Sequence, residues 1–265
     1  MKRAVPVVLA LAILAGAVFW AGQGVWRDTT PPRTPGVITV YCDTSVRAVL
    51  DEIREVFERR SDVRIELHSG PSVPLLEEFR DEPAGVDLFV PGDAYYLEQA
   101  QADGLVEPFE PLAWTEPAIL TQGGNPQEIA AINDLTRAGL RVGVMHPETT
   151  ALGRLLPELL EQHGMSLDDL EPNLTLIAEN DAELVTGVRL GRLDAAIVWR
   201  AVGQRCERCA IVPMDAHANV TAMVAVGVST QTPYLDEARE FAEFLGLRAA
   251  QALFEEFHYS LTPTE

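Results

Sequence analysis

The chain has 265 residues, with 20 lysines and arginines against 40 aspartates and glutamates, a formal net charge of −20, and 47% hydrophobic residues. That length and apolar content can bury a substantial core, which excludes intrinsic disorder and a small disulfide-stapled scaffold, and suits one large domain or two lobes. Nucleic acid is excluded as a partner because phosphate binding needs a basic footprint, and the sole lysine is Lys2.

Lys2 and Arg3 precede an uncharged run from Ala4 to Trp26, and no acid occurs before Asp28. This is the layout of a secretory signal, with Ala15-Gly16-Ala17 as a small-x-small cleavage site, and it is also long enough to span a bilayer. Residues 1–27 therefore read as a signal peptide or a membrane anchor, either of which places the remainder on the periplasmic or extracellular face. No cysteine lies in this region to carry a lipid. Residues 28–36, rich in proline and threonine, read as a stiffened linker.

From Val37 onward short β-branched runs alternate with helix-period stretches. Val37 to Tyr41 reads as a buried strand, and Val46, Val49, Leu50, Ile53, Val56 and Phe57 then recur at spacings of three and four, one apolar helix stripe. Arg64 to Leu67 is a second strand, Val73 to Phe79 a helix and Val86 to Val90 a third strand, with Asp93 capping a helix over Ala94 to Ala102. Pro111 to Gln122 and a Gly-Gly-Asn-Pro turn at 123–126 separate this block from a second one. There, strands at Leu140 to Met145, Leu174 to Ile177 and Ala195 to Trp199 alternate with helices at Thr150 to His163 and Asp181 to Leu190. Strands at Ala210 to Pro213 and Val220 to Val228 follow, and helices at Leu235 to Leu245 and Ala249 to Phe257 close the chain. The pattern predicts an α/β protein of two lobes, each with a mostly parallel sheet flanked by helices, whose ligand lies at the carboxyl ends of the strands. The lobes are expected at 37–116 plus 221–265 and at 117–220, joined by a two-crossover hinge.

Four helix starts follow strands directly with small or hydroxylated residues: Asp43-Thr44-Ser45, Ser69 to Ser72, Thr149-Thr150 and Asn180-Asp181. Helix N-termini offer unpaired N–H groups and a partial positive charge, so several converging on a cleft would cage an anion without lysine or arginine. Taken singly, each is an ordinary N-cap.

These stretches carry a resemblance. Ile38 to Tyr41 followed by Thr44-Ser45, then Ser69 to Ser72, then Val86 to Asp93, resemble the corresponding segments of the molybdate-binding proteins of ABC importers, as do Arg141 to Arg154 and Asp194 to Trp199. The blocks follow in that family's order over roughly Gly36 to Tyr259. The resemblance implies a type 2 periplasmic solute-binding protein, monomeric and without a cofactor, that closes over a small inorganic oxyanion of the molybdate or tungstate kind and delivers it to an ABC transporter membrane permease. It implies ligand contacts at Thr44, Ser45, Ser72, backbone near Leu152 and Asp181, and Trp199. Four positions depart from the family: Cys42 and Asp43 stand where small residues are usual, His146 where an aspartate is, and Trp199, which can give only its indole N–H, where a tyrosine hydroxyl is common. Asp43 would repel a dianion if it points into the cleft; the strand alternation leaves its orientation open.

The departures support an alternative of the same fold, a transition-metal site of the iron-binding type built from Cys42, Asp43, Asp93, His146 and Glu148, since thiolate, imidazole and carboxylate together suit such ions. Cys206-Glu207-Arg208-Cys209 reads as a local structural disulfide in an oxidising compartment, with a redox-active dithiol as the other reading. No nucleophile elbow, phosphate loop or H-E-x-x-H motif is present, so capture rather than catalysis is expected.

Overall fold

A computed structural model describes residues 36–263, and the expected signal or anchor, its cleavage site and nearly all of the linker lie outside that range. Strand β1 (Val37–Asp43) alternates inward and outward side chains, and helix α1 (Arg47–Glu58) lays Val49, Leu50, Ile53 and Phe57 against the sheet. β2 (Arg64–Gly70) follows, then α2 (Ser72–Asp81), β3 (Leu88–Val90) and α3 (Tyr95–Ala102). β4 (Pro111–Thr115) leads through Glu116 into β5 (Pro117–Gln122). The second block is β6 (Val142–Met145), α4 (Ala151–Gln162), the short α5 (Leu167–Leu170), β7 (Leu174–Ala178), α6 (Asp181–Arg189) and β8 (Ala195–Trp199). A single turn, α7 (Arg200–Gly203), precedes β9 (Cys209–Val212); β10 (Ala222–Ala225), β11 (Gly227–Val228), α8 (Leu235–Leu245) and α9 (Arg248–Glu256) complete the chain.

Two sheets organise the molecule. The first has the order β11-β3-β1-β2, the second β7-β6-β8-β5-β9. In the first, three strands run parallel with β11 antiparallel to β3; in the second, β6, β7, β8 and β9 point one way and β5, between β8 and β9, runs against them. Parallel strands joined by helices put their carboxyl ends, and the N-termini of the following helices, on one edge of each sheet.

Between the sheets the chain passes through a separate two-stranded ribbon, β4 against β10. The single strand expected over Val220 to Val228 is thus two: β10 pairs with β4, and after Val226 the chain joins the first sheet as β11. A continuous apolar run carries no mark of where it changes partners. β4 and β5 themselves were not assigned from sequence. Trp114 lies in β4 and exchanges two backbone hydrogen bonds with Ser260, at 2.8 and 2.9 Å. The C-terminal helices return to the first sheet. Phe241 and Phe244 meet Phe57 with ring centroids 5.0 and 5.3 Å apart, and burying each such ring stabilises by about 1.5–3 kcal/mol.

Candidate functional site

β1 ends at Asp43, whose side chain is buried. One carboxylate oxygen accepts hydrogen bonds from the Ser45 amide at 3.0 Å and the Ser45 hydroxyl at 2.7 Å. The other accepts from the Ser72 hydroxyl at 2.5 Å. Ser72 Oγ in turn accepts from the Gly92 amide at 3.1 Å. The loops after β1, β2 and β3 thereby close on a single carboxylate. Glycine is required at position 92: a Cβ there would stand 2.9 Å from Asp43 Cγ and 3.0 Å from the Ala151 methyl. Burial raises the Asp43 carboxyl above its ordinary range, opposed by the hydrogen bonds from Ser72 and Ser45.

The second sheet brings its own helix starts to the same place. Thr150 Oγ1 caps α4 by accepting from the Gly153 amide at 3.0 Å, and Asn180 Oδ1 caps α6 by accepting from the Glu183 amide at 3.1 Å. Leu152 and Trp199 are buried, 2% and 1% exposed, in the first turn of α4 and at the end of β8. Asp181 opens α6 at 4% exposure, and neither of its oxygens has a side-chain or cationic partner; only its own amide and that of Trp199 lean toward it, without well-formed hydrogen bonds. Its carboxyl is pushed up to about 7, first by burial and then by the charge of Asp43; its own amide and that of Trp199 oppose the shift. Tyr259 completes the neighbourhood. Its hydroxyl donates to the Ser45 carbonyl at 2.9 Å, and burial, with Asp181 and Asp43 nearby, holds its phenol above the usual range. A cavity of about 440 Å³ opens beside these groups, with Thr44, Ser45 and Arg47 on one wall and Asn180, Asp181 and Arg205 on the other.

The two sheet bodies meet across this edge. Arg154 of α4 pairs with Asp93 at 2.6 Å and lies over the Tyr95 ring, 4.1 Å from its centroid. The Val73 amide donates to the Thr149 carbonyl at 3.2 Å. Asp93 also accepts from the Tyr95 amide at 2.9 Å, but it stands one residue before the N-cap, Ala94, so the cap expected of it is displaced by one position.

The residues of the metal alternative do not come together. Cys42 is fully buried in the core with Ile38 and Val40, and burial pushes its thiol up to about 12. Asp93 is committed to Arg154. His146 stands partly exposed, 4.0 Å from Glu179, and Glu148 is exposed. Among the described residues no group of three or more His, Cys, Asp or Glu side chains is placed to hold a metal ion. Linear proximity at strand ends misled here because Cys42 points to the opposite face of the sheet from Asp43, as successive strand residues do. Cys206 and Cys209 form a disulfide, with an S–S distance of 1.97 Å.

Sequence reasoning passed over three participants. Gly92 has a signal in retrospect, a Pro-Gly-Asp turn at a strand end. Arg154 is marked only as the end of the Arg141 to Arg154 stretch that carries the resemblance, Tyr259 by nothing, and neither betrays its partner, which lies 61 and 214 residues away.

Two α/β bodies joined by a two-stranded ribbon, with helix starts from both facing one cleft, define a periplasmic binding protein of type 2. The model of the bacterial extracellular solute-binding protein family matches residues 38–260, and the chain belongs to that family. It is 22% identical over 253 residues to the molybdate-binding protein ModA of Mycobacterium tuberculosis, covering 92% of this chain and 94% of that one. Among solved structures, the periplasmic molybdate-binding protein of Azotobacter vinelandii is similar with a TM-score of 0.70 at 17% identity, over 85% of this chain and 100% of that one. A periplasmic thiamin binding protein is similar with a TM-score of 0.73 at 16% identity, over 88% and 87%.

Proposed function

We propose that this chain is the extracytoplasmic substrate-binding subunit of an ABC importer, holding one small solute between its lobes and presenting the closed form to a membrane permease. Residues 37–116 with 221–265 would form one lobe and 117–220 the other, and residues 1–27 would export or tether a monomeric body. Family membership supports the class, and the closure of strand-end loops from both sheets on one cleft supports the location.

The solute that the geometry suits best is a small organic cation. The observation that carries this reading is the state of the donors: the Ser45 amide, the Ser45 hydroxyl and the Ser72 hydroxyl are all taken by Asp43. Asp181 then adds a second buried carboxylate, without a cation paired to it. When these carboxyls are ionised, like charges about 4 Å apart repel by on the order of 4 kcal/mol at an effective dielectric of about 20, so an oxyanion entering here meets a barrier that a cation does not. Arg47 and Arg205 reach the cavity wall, but Arg47 is paired with Asp51 at 2.8 Å and Arg205 lies over Phe257. The cavity volume of about 440 Å³ falls in the range that encloses small organic molecules. The net charge of −20 concentrates cations near the surface as well.

Molybdate or tungstate capture is the second reading. It is favoured by the presence of Ser45 and Ser72 together at the cleft and by relatives named for molybdate, and it requires Asp43 to leave its donors.

A thermal-shift panel separates the two. Thiamin, choline, spermidine and arginine are set against molybdate, tungstate, sulfate and phosphate, with iron(III) and zinc alongside. A ligand at 100 times its Kd stabilises by about 2.7 kcal/mol, which for a body of this size raises Tm by roughly 5–11 °C. Such a shift with an organic cation supports the first reading. A shift with molybdate or tungstate and with no cation would replace it by the second.

A further inference from the structure

We infer that Asp43 is the specificity-determining residue of the cleft: its carboxylate is a built-in occupant of an oxyanion donor set, and its presence keeps oxyanions out. The inference rests on the reading above in one respect, that the cleft between the lobes is the solute site.

A carboxylate presents two oxygens on one carbon, as any edge of a tetrahedral oxyanion presents two oxygens on its central atom. Here those two oxygens divide three donors between them, two from Ser45 and one from Ser72. Each of these three donors is committed to Asp43. The Ser72 hydroxyl has one hydrogen, which goes to Asp43, while its oxygen accepts the Gly92 amide. The space is filled along with the hydrogen bonds: Gly92 is confined to a bare Cα by Asp43 Cγ and the Ala151 methyl, so the carboxylate lies packed beneath the first turn of α4. Asp181 acts in the same sense from the other lobe, a buried carboxylate at the start of α6 with no cation paired to it. A dianion seeking Ser45 and Ser72 would have to evict one negative group and lie near another. A solute carrying a positive charge would leave Asp43 in place and supply the charged partner that Asp181 lacks.

Removing the side chain should therefore uncover a latent oxyanion site. Isothermal titration of the full-length chain with sodium molybdate, sodium tungstate and sodium sulfate compares the wild type with Asp43→Ala and Asp43→Asn. Asp43→Ala frees both the donors and the space, and at least one of the three anions should bind it at least about 100-fold more tightly than the wild type. Asp43→Asn removes the charge but keeps the volume, so its gain should be smaller. Adding Ser72→Ala to Asp43→Ala should abolish most of the gain, which a nonspecific loosening of the cleft would not do. Circular dichroism melts establish that each variant is folded; if Asp43→Ala is not, Asp43→Asn still carries the test through the sign of its change. Folded variants as blind to all three anions as the wild type would overturn the inference, as would a wild type that binds one of them as tightly as Asp43→Ala. Titration of the wild type with thiamin, choline and spermidine is read separately: silence there removes the organic-cation reading and leaves a gain of anion binding in Asp43→Ala standing.

Discussion

Asp181→Asn offers a direct measure of what the buried acids do to the fold. The Asp181 carboxyl rises from its ordinary 3.8 to about 7, because burial disfavours its charged form and Asp43 adds a like charge. A buried acid with a raised value binds its proton more tightly in the folded state than in the unfolded one, so its effect on stability is unfavourable as pH rises through the window from about 4 to 7. The loss is complete above the folded value and absent below the unfolded one. About three pH units at 1.36 kcal/mol each correspond to about 4 kcal/mol. Asparagine has nearly the same shape and no charge, so the variant should match the wild type near pH 4 and exceed it by up to about 4 kcal/mol at pH 8. For a body of this size that is a Tm difference of roughly 8–16 °C. Acids held below their usual range, such as Asp194 beside Arg141, give the opposite slope, but they are common to both proteins and cancel in the difference. The assay is a pair of melting series, ligand-free, from pH 4 to 8. A Tm difference that stays constant across the series would refute the reasoning, because it would mean that Asp181 is not ionised at a cost inside the folded protein.

Three further outcomes are expected. Gly92→Ala drives a methyl against Asp43 Cγ and the Ala151 methyl at 2.9 and 3.0 Å, and should destabilise by about 1–3 kcal/mol in denaturant titration; combining it with Asp43→Ala should recover part of that loss, whereas simple additivity would disprove the contact. Tyr259→Phe removes the hydrogen bond to the Ser45 carbonyl and keeps the ring against Phe254, so a loss of about 0.5–1.5 kcal/mol is expected, and an unchanged midpoint would show the hydroxyl to be idle. Cys42 is buried and is the only free cysteine, its thiol pushed up to about 12 by burial, so without reductant a maleimide should label one thiol per chain in denaturant and none in the native protein; native labelling would place Cys42 at the surface.

How much of this was legible in the sequence divides along physical lines. Local pattern was enough for elements whose signal is periodicity or a cap: the α1 stripe is buried as its spacing demands, and Thr150 and Asn180 cap α4 and α6. The order of strands and helices was enough for two α/β lobes, because parallel strands joined by helices leave few other arrangements. Partner choice was not legible. β4 and β10 are apolar strands like any other, and only the assembled molecule pairs them with each other rather than with either sheet. The site divides in the same way. Asp43, Ser45, Ser72 and Asp181 stand out by residue type at strand ends, but the sense of the site depends on which way one carboxylate points. Strand alternation left the orientation of Asp43 open, and only the folded chain shows what its carboxylate meets. The meeting with Ser72, 29 residues on, and the packing against Gly92 and Ala151 come from three strand-end loops and a helix of the other lobe. Residue types and their periods come from the chain itself; the charge a cleft presents is a sum over segments far apart in sequence, and only folding brings them close enough to add.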